Sequence, residues 1–156
     1  MAEIKSVGVI GAGQMGAGIA HVCALGGYDV LLHDVSEDRI SLGFGQIKHN
    51  LPRQVVRGII TQDEMDAATN RLKAAPELQM IGATDIAIEA ATENEEVKKS
   101  IFKALTPHLS ANTILASNTS SISITRLASA SDRPERFIGL HFMNPVPLMK
   151  LVEIIR

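Results

Sequence analysis

The 156-residue sequence has no tryptophan, one tyrosine and four phenylalanines, so aromatic side chains make up only 3% of it. That scarcity removes the stacking platforms on which single-stranded nucleic acids are held. No basic excess compensates: 15 Lys and Arg against 17 Asp and Glu give a formal net charge of -2 and a pI near 6.2. A nucleic-acid partner, whose phosphates call for a cationic surface, is therefore not expected. Cysteine is nearly missing too. The single Cys23 cannot close an intrachain disulfide, which gives no support to a secreted, disulfide-stapled framework. In its apolar helical stretch it reads as a buried small hydrophobe. No apolar run approaches the ~18 residues of a membrane span. The N-terminus carries Glu3 and lacks a cleavage pattern or an Arg-rich amphipathic lead. A cytoplasmic protein without a membrane partner is the expectation.

What is present is ordinary for a globular chain: 46% apolar and 21% charged residues, which excludes wholesale disorder. The length suits one domain and a core that buries roughly 68–70% of the unfolded chain's surface.

The first 34 residues read as strand, turn, helix, strand. Val7 to Ile10 is a short apolar run bounded by glycine, as in a strand buried on both faces. From Gln14 the period changes, with Met15, Ile19, Val22 and Cys23 on one helical face until Gly26-Gly27 stops it. Val30 to Leu32 is a second buried strand ending at Asp34, completing a βαβ unit with parallel strands. Residues 36–75 break the alternation. Ser36 caps a helix with Ile40, Phe44, Ile47 and Leu51 inward, which Pro52 can kink or divide. After a turn at Arg57-Gly58, Thr61 to Glu64 fits a capping box ahead of Met65, Ala68 and Leu72. The pair forms a helical hairpin inserted after the second strand, with room to stand off the sheet.

Alternation then resumes. Ile86 to Ile88 is a strand, and residues 94–106 form a helix with Val97, Ile101 and Leu105 inward. Ile114 to Ala116, Phe137 to Phe142 and Leu151 to Ile155 are further strands, with a short helix marked by Ile124, Leu127 and Ala128. The Pro-rich turn Asn144-Pro145-Val146-Pro147 can send the last strand back antiparallel.

Two constellations carry chemistry. Gly11-Ala12-Gly13-Gln14-Met15-Gly16 is a GxGxxG placed after a strand and opening a helix. Its glycines permit the turn, the approach of a pyrophosphate and close helix–strand packing, while the helix N-terminus favours phosphate. Asp34 lies 23 positions after Gly11, where a carboxylate accepts from ribose hydroxyls and repels a 2′-phosphate, favouring NAD over NADP. A purely structural turn is the plainer alternative. Arg39, the nearest later cation, reads as a solvated helix residue. Among five histidines, His21, His33, His49 and His108 read as surface or packing residues. His141 ends a predicted strand, where the ligand crevice of an open parallel sheet lies. Glu153 follows on the returning strand, close enough to orient the imidazole for acid–base work. Spacing alone leaves a catalytic dyad and a structural His–Glu pair both open. The fold class expected is a doubly wound, Rossmann-type α/β domain spanning 1–156, mostly parallel, with the hairpin as an insertion over about 36–75.

The stretches VGVIGAGQMGAGIAHV, IEAATENEEVKKSIF, ILASNTSSISIT and FIGLHFMNPVPLMKLVEII together resemble the NAD-binding domain of the L-3-hydroxyacyl-CoA dehydrogenases, especially the bacterial 3-hydroxybutyryl-CoA enzymes. Of these, HFMNPVP with its downstream Glu is the most specific. Met143 departs mildly, standing where the family often has a second Phe.

The resemblance implies oxidation of an L-3-hydroxyacyl-CoA with NAD, and it implies roles residue by residue. His141 corresponds to the general base, Glu153 to its orienting partner and Ser120 to a serine that bonds the substrate oxygen near the nicotinamide. Glu93, Lys98 and Asn144 match cofactor-contacting positions; their plainer readings are a helix-start acid, a surface base and a turn residue. Asn118 reads as support for the serine loop. Asn50 and Arg57 lie near positions that touch coenzyme A through the hairpin. The resemblance also implies a helical C-terminal domain that this sequence does not match, and a homodimer of the full-length enzyme. The chain is then expected to be the cofactor-binding part, separately produced or truncated, with little activity alone. The competing readings are a methyltransferase, which has a similar glycine loop but no need of His141–Glu153, and a non-catalytic NAD-binding or structural protein on the same fold.

Overall fold

The computed structural model describes residues 2–156. Seven strands form one sheet in the order β3-β2-β1-β4-β5-β6-β7. They are β1 (Ser6–Ile10), β2 (Asp29–His33), β3 (Leu72–Ala74), β4 (Ile86–Glu89), β5 (Ile114–Ser117), β6 (Phe137–Phe142) and β7 (Val152–Ile155). All neighbours pair in parallel except β6 and β7, which are antiparallel as expected. The helices are α1 (Gln14–Leu25), α2 (Glu37–Val56), α3 (Gln62–Arg71), α4 (Glu95–Leu105) and α5 (Ile124–Ala128).

Successive strand residues point to opposite faces, so the sheet separates two cores. Val9, Val30, Leu32 and Ile88 pack with Ile19 of α1 and Ile47 and Leu51 of α2. Ile10, Ala87 and Leu115 pack on the other face with Phe102, Leu105, Leu127 and Phe137. Phe102 and Phe137 meet edge to face with ring centroids 4.8 Å apart. Deleting the fully buried Phe102 ring would cost about 3–5 kcal/mol.

Helix α1 ends as its glycines require. Gly27 takes φ +96°, its N–H bonds Ala24 O, and Tyr28 N–H reaches back to Cys23 O at 3.1 Å. Helix α2 runs undivided through Pro52, with Ser36 accepting from Arg39 N at its start. Thr61 caps α3 by accepting from Glu64 N.

Three expectations need correction. The hairpin does not stand off the sheet: Ile47, Leu51 and Ala68 are buried in the core that α1 shares. Its end is not helical either, because Leu72 to Ala74 form β3 beside β2. Lastly, Val97 is 44% exposed, and the buried face of α4 is Lys98, Phe102 and Leu105.

Candidate functional site

The sheet reverses its direction of growth between β1 and β4, because the chain moves outward to β2 and β3 and then returns to the other side of β1. Such a switch point leaves a crevice beyond the carboxyl ends of the strands, where no crossover connection fills the gap. A cavity of about 290 Å³ opens there, lined by Gly13, Gln14 and Met15 after β1, Ala90 to Glu93 after β4, Lys98 and Asn118.

The glycine loop divides its labour. Gly11 adopts φ +109° and lies against Ala90, where a Cβ would come within 2.5 Å of the Ala90 carbonyl oxygen. Gly16 packs on the loop itself; a Cβ there would overlap Gly11 O at 1.6 Å. Gly13 faces open space, with nothing within 4 Å of a Cβ. It also caps α1 without any side-chain hydrogen bond, and the first turn holds no acid. The N–H groups at this helix end therefore point at a glycine-lined opening, a setting that favours a phosphate. These residues fit a dinucleotide.

Asp34 stands just beyond β2. Its Oδ2 accepts from Ala12 N at 2.8 Å and its Oδ1 from Val35 N at 2.6 Å. The carboxylate thus ties the loop to the end of β2 while keeping lone pairs for a further donor. Arg39 approaches it only to 4.0 Å and is largely solvated, as expected.

Glu93 gathers the loop after β5. It accepts from the Thr119 hydroxyl, from Ser121 Oγ at 3.1 Å and from Ser120 N at 3.2 Å. Partial burial pushes its carboxyl up, but these hydrogen bonds and the Lys98 charge outweigh that and hold it below its ordinary value. Ser120 itself is exposed, and no hydrogen bond joins it to His141 among the described residues. Asn118, at the start of this loop, accepts from Phe142 N at 2.9 Å through its Oδ1 and so ties the end of β5 to the end of β6.

Lys98 is not a surface base. Its Nζ donates to Glu89 Oε1 at 2.7 Å and Oε2 at 2.9 Å, and both side chains are buried. Sequence reasoning missed Glu89; the signal was an acid closing the otherwise apolar strand IAIE, nine residues before a lysine. Removing one member of such a pair leaves a buried charge unbalanced, typically costing about 3–5 kcal/mol.

His141 and Glu153 are direct register partners across β6 and β7. Their Nδ1 and Oε2 lie 3.6 Å apart, an ion-pair separation longer than a hydrogen bond, with the imidazole three-quarters buried. A second cavity, about 260 Å³, gathers Asn50, Arg53, Arg57 and Gln14 with Asn144 and Pro145, which are joined by a cis peptide bond. Of the other histidines, His33 bonds Ala75 O at 2.7 Å and His21 bonds Gln54 at 2.7 Å, both as packing residues, while His49 and His108 are exposed.

Fold, switch-point cleft and glycine loop define a dinucleotide-binding α/β domain. The family described as 3-hydroxyacyl-CoA dehydrogenase, NAD binding domain, matches residues 6–156, and the chain belongs to it. It is 59% identical over 155 residues to a 3-hydroxybutyryl-CoA dehydrogenase of Bradyrhizobium diazoefficiens, covering 99% of this chain and 53% of that protein. It is 43% identical to a 3-hydroxyadipyl-CoA dehydrogenase of Escherichia coli, over 99% of this chain and 33% of the other. The solved (S)-3-hydroxybutyryl-CoA dehydrogenase of Ralstonia eutropha superposes with a TM-score of 0.94 at 44% identity, over 97% of this chain and 54% of that one. The chain spans about half the length of the 3-hydroxybutyryl-CoA relatives it matches. NAD is the cofactor this domain family binds. The family match leaves the methyltransferase reading without support. Among the described residues no helix is long and apolar enough to cross a membrane.

Proposed function

We propose that the chain is the cofactor-binding part of an NAD-dependent dehydrogenase that converts an L-3-hydroxyacyl-CoA, such as 3-hydroxybutyryl-CoA, to the 3-ketoacyl-CoA. The observation that carries this reading is the register pairing of His141 with Glu153 at the sheet end that also holds the glycine-loop cleft. NAD, when bound, supplies the hydride acceptor.

In this reading the chain's own residues do four things. Gly13 and the start of α1 receive the pyrophosphate, and Asp34 accepts from the adenosine ribose hydroxyls. Nδ1 of His141 faces the Glu153 carboxylate, so Nε2 is the nitrogen left to take the substrate hydroxyl proton. Glu153 favours that orientation and stabilises the imidazolium once the proton has moved. Ser120 and His141 together hold the substrate oxygen. Glu93, Lys98 and Asn144 contact the cofactor, and Asn50 and Arg57, across the hairpin cleft, contact coenzyme A.

A helical second domain completes the acyl pocket and supplies the surface of a homodimer; the protein works in the cytoplasm. Productive alignment contributes several kcal/mol to catalysis, so a half-built acyl site leaves the 156-residue chain able to bind NADH but nearly inactive on acetoacetyl-CoA. Titration calorimetry tests the cofactor half. NADH should bind at least about tenfold more tightly than NADPH, a difference of about 1.4 kcal/mol set by Asp34. Equal affinities, or no NADH binding, would overturn it. The substrate half is tested by NADH oxidation with acetoacetyl-CoA in the two-domain enzyme, and absence of turnover there sinks the dehydrogenase reading.

A further inference from the structure

Glu89 closes β4 at full burial, and Lys98 is 1% exposed. The carboxylate accepts four hydrogen bonds. Oε1 takes Lys98 Nζ and Ser117 Oγ, both at 2.7 Å; Oε2 takes Lys98 Nζ at 2.9 Å and Ala91 N at 2.8 Å. That fills its accepting capacity, so Glu89 has nothing left to offer a ligand. Lys98 is in a different position. Glu89 engages its ammonium from one side only, through both carboxylate oxygens, and the Lys98 side chain lines the switch-point cleft beside Gly13, Gln14, Met15 and Glu93.

A lysine on a four-carbon stem is otherwise a flexible, strongly hydrated charge. Here one carboxylate pairs with it and fixes its rotamer, leaving ammonium N–H donors that Glu89 does not use. The same carboxylate pins the Ala91 N–H of the turn that closes against Gly11, and the Ser117 hydroxyl at the end of β5. Three walls of the cleft thus meet on one buried side chain that the cleft itself does not expose.

We infer that Glu89 is a positioning residue for dinucleotide binding, acting through Lys98, whose side chain it holds in place at the cleft wall. The inference rests on the reading of this cleft as the dinucleotide site.

The test is a double-mutant cycle on the chain, titrated with NADH: wild type, Glu89→Gln, Lys98→Met and the double variant. The AMP affinity of each protein is measured alongside, because AMP engages the Asp34 end and lacks the nicotinamide half. Each single variant should weaken NADH by about tenfold or more, the worth of a hydrogen bond to a charged group. The double should be no weaker than Lys98→Met alone, and AMP affinity should change less than about twofold, since additivity fails only for coupled residues. If wild type binds no NADH, the dinucleotide reading falls and takes this inference with it. If wild type binds but Glu89→Gln binds equally well, or the two losses multiply, only the positioning role is overturned. Parallel loss of AMP and NADH in Glu89→Gln would show a structural role instead and also overturn it. Should Glu89→Gln fail to fold, the neutral double variant decides: affinity equal to Lys98→Met supports the inference, and a further loss of about tenfold overturns it.

Discussion

His141 and Glu153 face each other across an antiparallel strand pair, Nδ1 to Oε2 at 3.6 Å, although Glu153 follows twelve positions later in the chain. The Pro-rich turn returns the chain in register, and side chains of directly opposed residues lie on the same face of a sheet. In the two-domain enzyme His141→Ala should lower kcat by roughly 10²–10⁴-fold, the usual worth of a positioned acid–base group. Glu153→Gln should lower it as well while leaving NADH affinity nearly unchanged. Wild-type turnover in both variants would make the pair structural.

The first and third glycine contacts of the loop differ in kind from the second, and substitution should separate them. Gly13→Ala places a methyl in open space at an extended backbone, φ -72° and ψ -168°. It should fold with at most about 1 kcal/mol lost, the cost of a poorer N-cap. It should nonetheless weaken NADH by about tenfold, since the methyl stands where the pyrophosphate approaches. Gly16→Ala drives a Cβ into Gly11 O at 1.6 Å and should destabilise the domain by several kcal/mol, as large strain does. Thermal melts beside NADH titrations distinguish the two.

Most of this architecture is legible in the sequence because buried parallel strands leave short apolar runs and the glycine loop sits between strand and helix. Six of the seven strands follow from that pattern. β3 does not, since Leu72-Lys73-Ala74 is three residues long, carries a lysine and follows α3 without a turn. The inward face of α4 is hidden in the sequence for a related reason: periodicity scores Val97 as core and Lys98 as surface, whereas the carboxylate of Glu89 on a neighbouring strand draws Lys98 inward. Hairpin placement is likewise tertiary information, decided by how α1 accepts Ile47 and Ala68. Of the site, the GxGxxG, Asp34 and the His141–Glu153 pairing are carried by spacing, whereas the Glu93 hub for the serine loop needs three-dimensional contacts.

Acid should loosen the junction between α1 and α2. His21 is 1% exposed, its Nε2 bonds Gln54 Oε1 at 2.7 Å, and its Nδ1 has no hydrogen-bond partner among the described residues. Burial lowers its pKa from the ordinary 6.5, a shift that the Gln54 bond only partly offsets. The unfolded chain therefore binds the proton more readily. The stability linked to this group is complete above about pH 6.5 and drains away as pH falls through the lower folded value. Urea melts from pH 8 to 5 should show wild type losing stability faster than His21→Gln as pH falls below about 6.5. Parallel slopes would exclude His21 as the source.

Cys23 should be chemically silent in the folded domain. Against the sequence expectation of a buried residue it is only half-buried on α1, packed against the core from one side, yet that burial pushes its thiol up to about 12 from an ordinary 9.0. Only the thiolate attacks electrophiles, so its fraction at neutral pH falls by about a thousandfold relative to a free cysteine. Iodoacetamide or a disulfide reagent should leave the native protein unmodified over hours yet label one thiol promptly in denaturant. Prompt native labelling would mean that α1 detaches readily from its neighbours, and the close packing that seats the glycine loop would then have to be weaker than the buried Ile19 and Ala24 around Cys23 indicate.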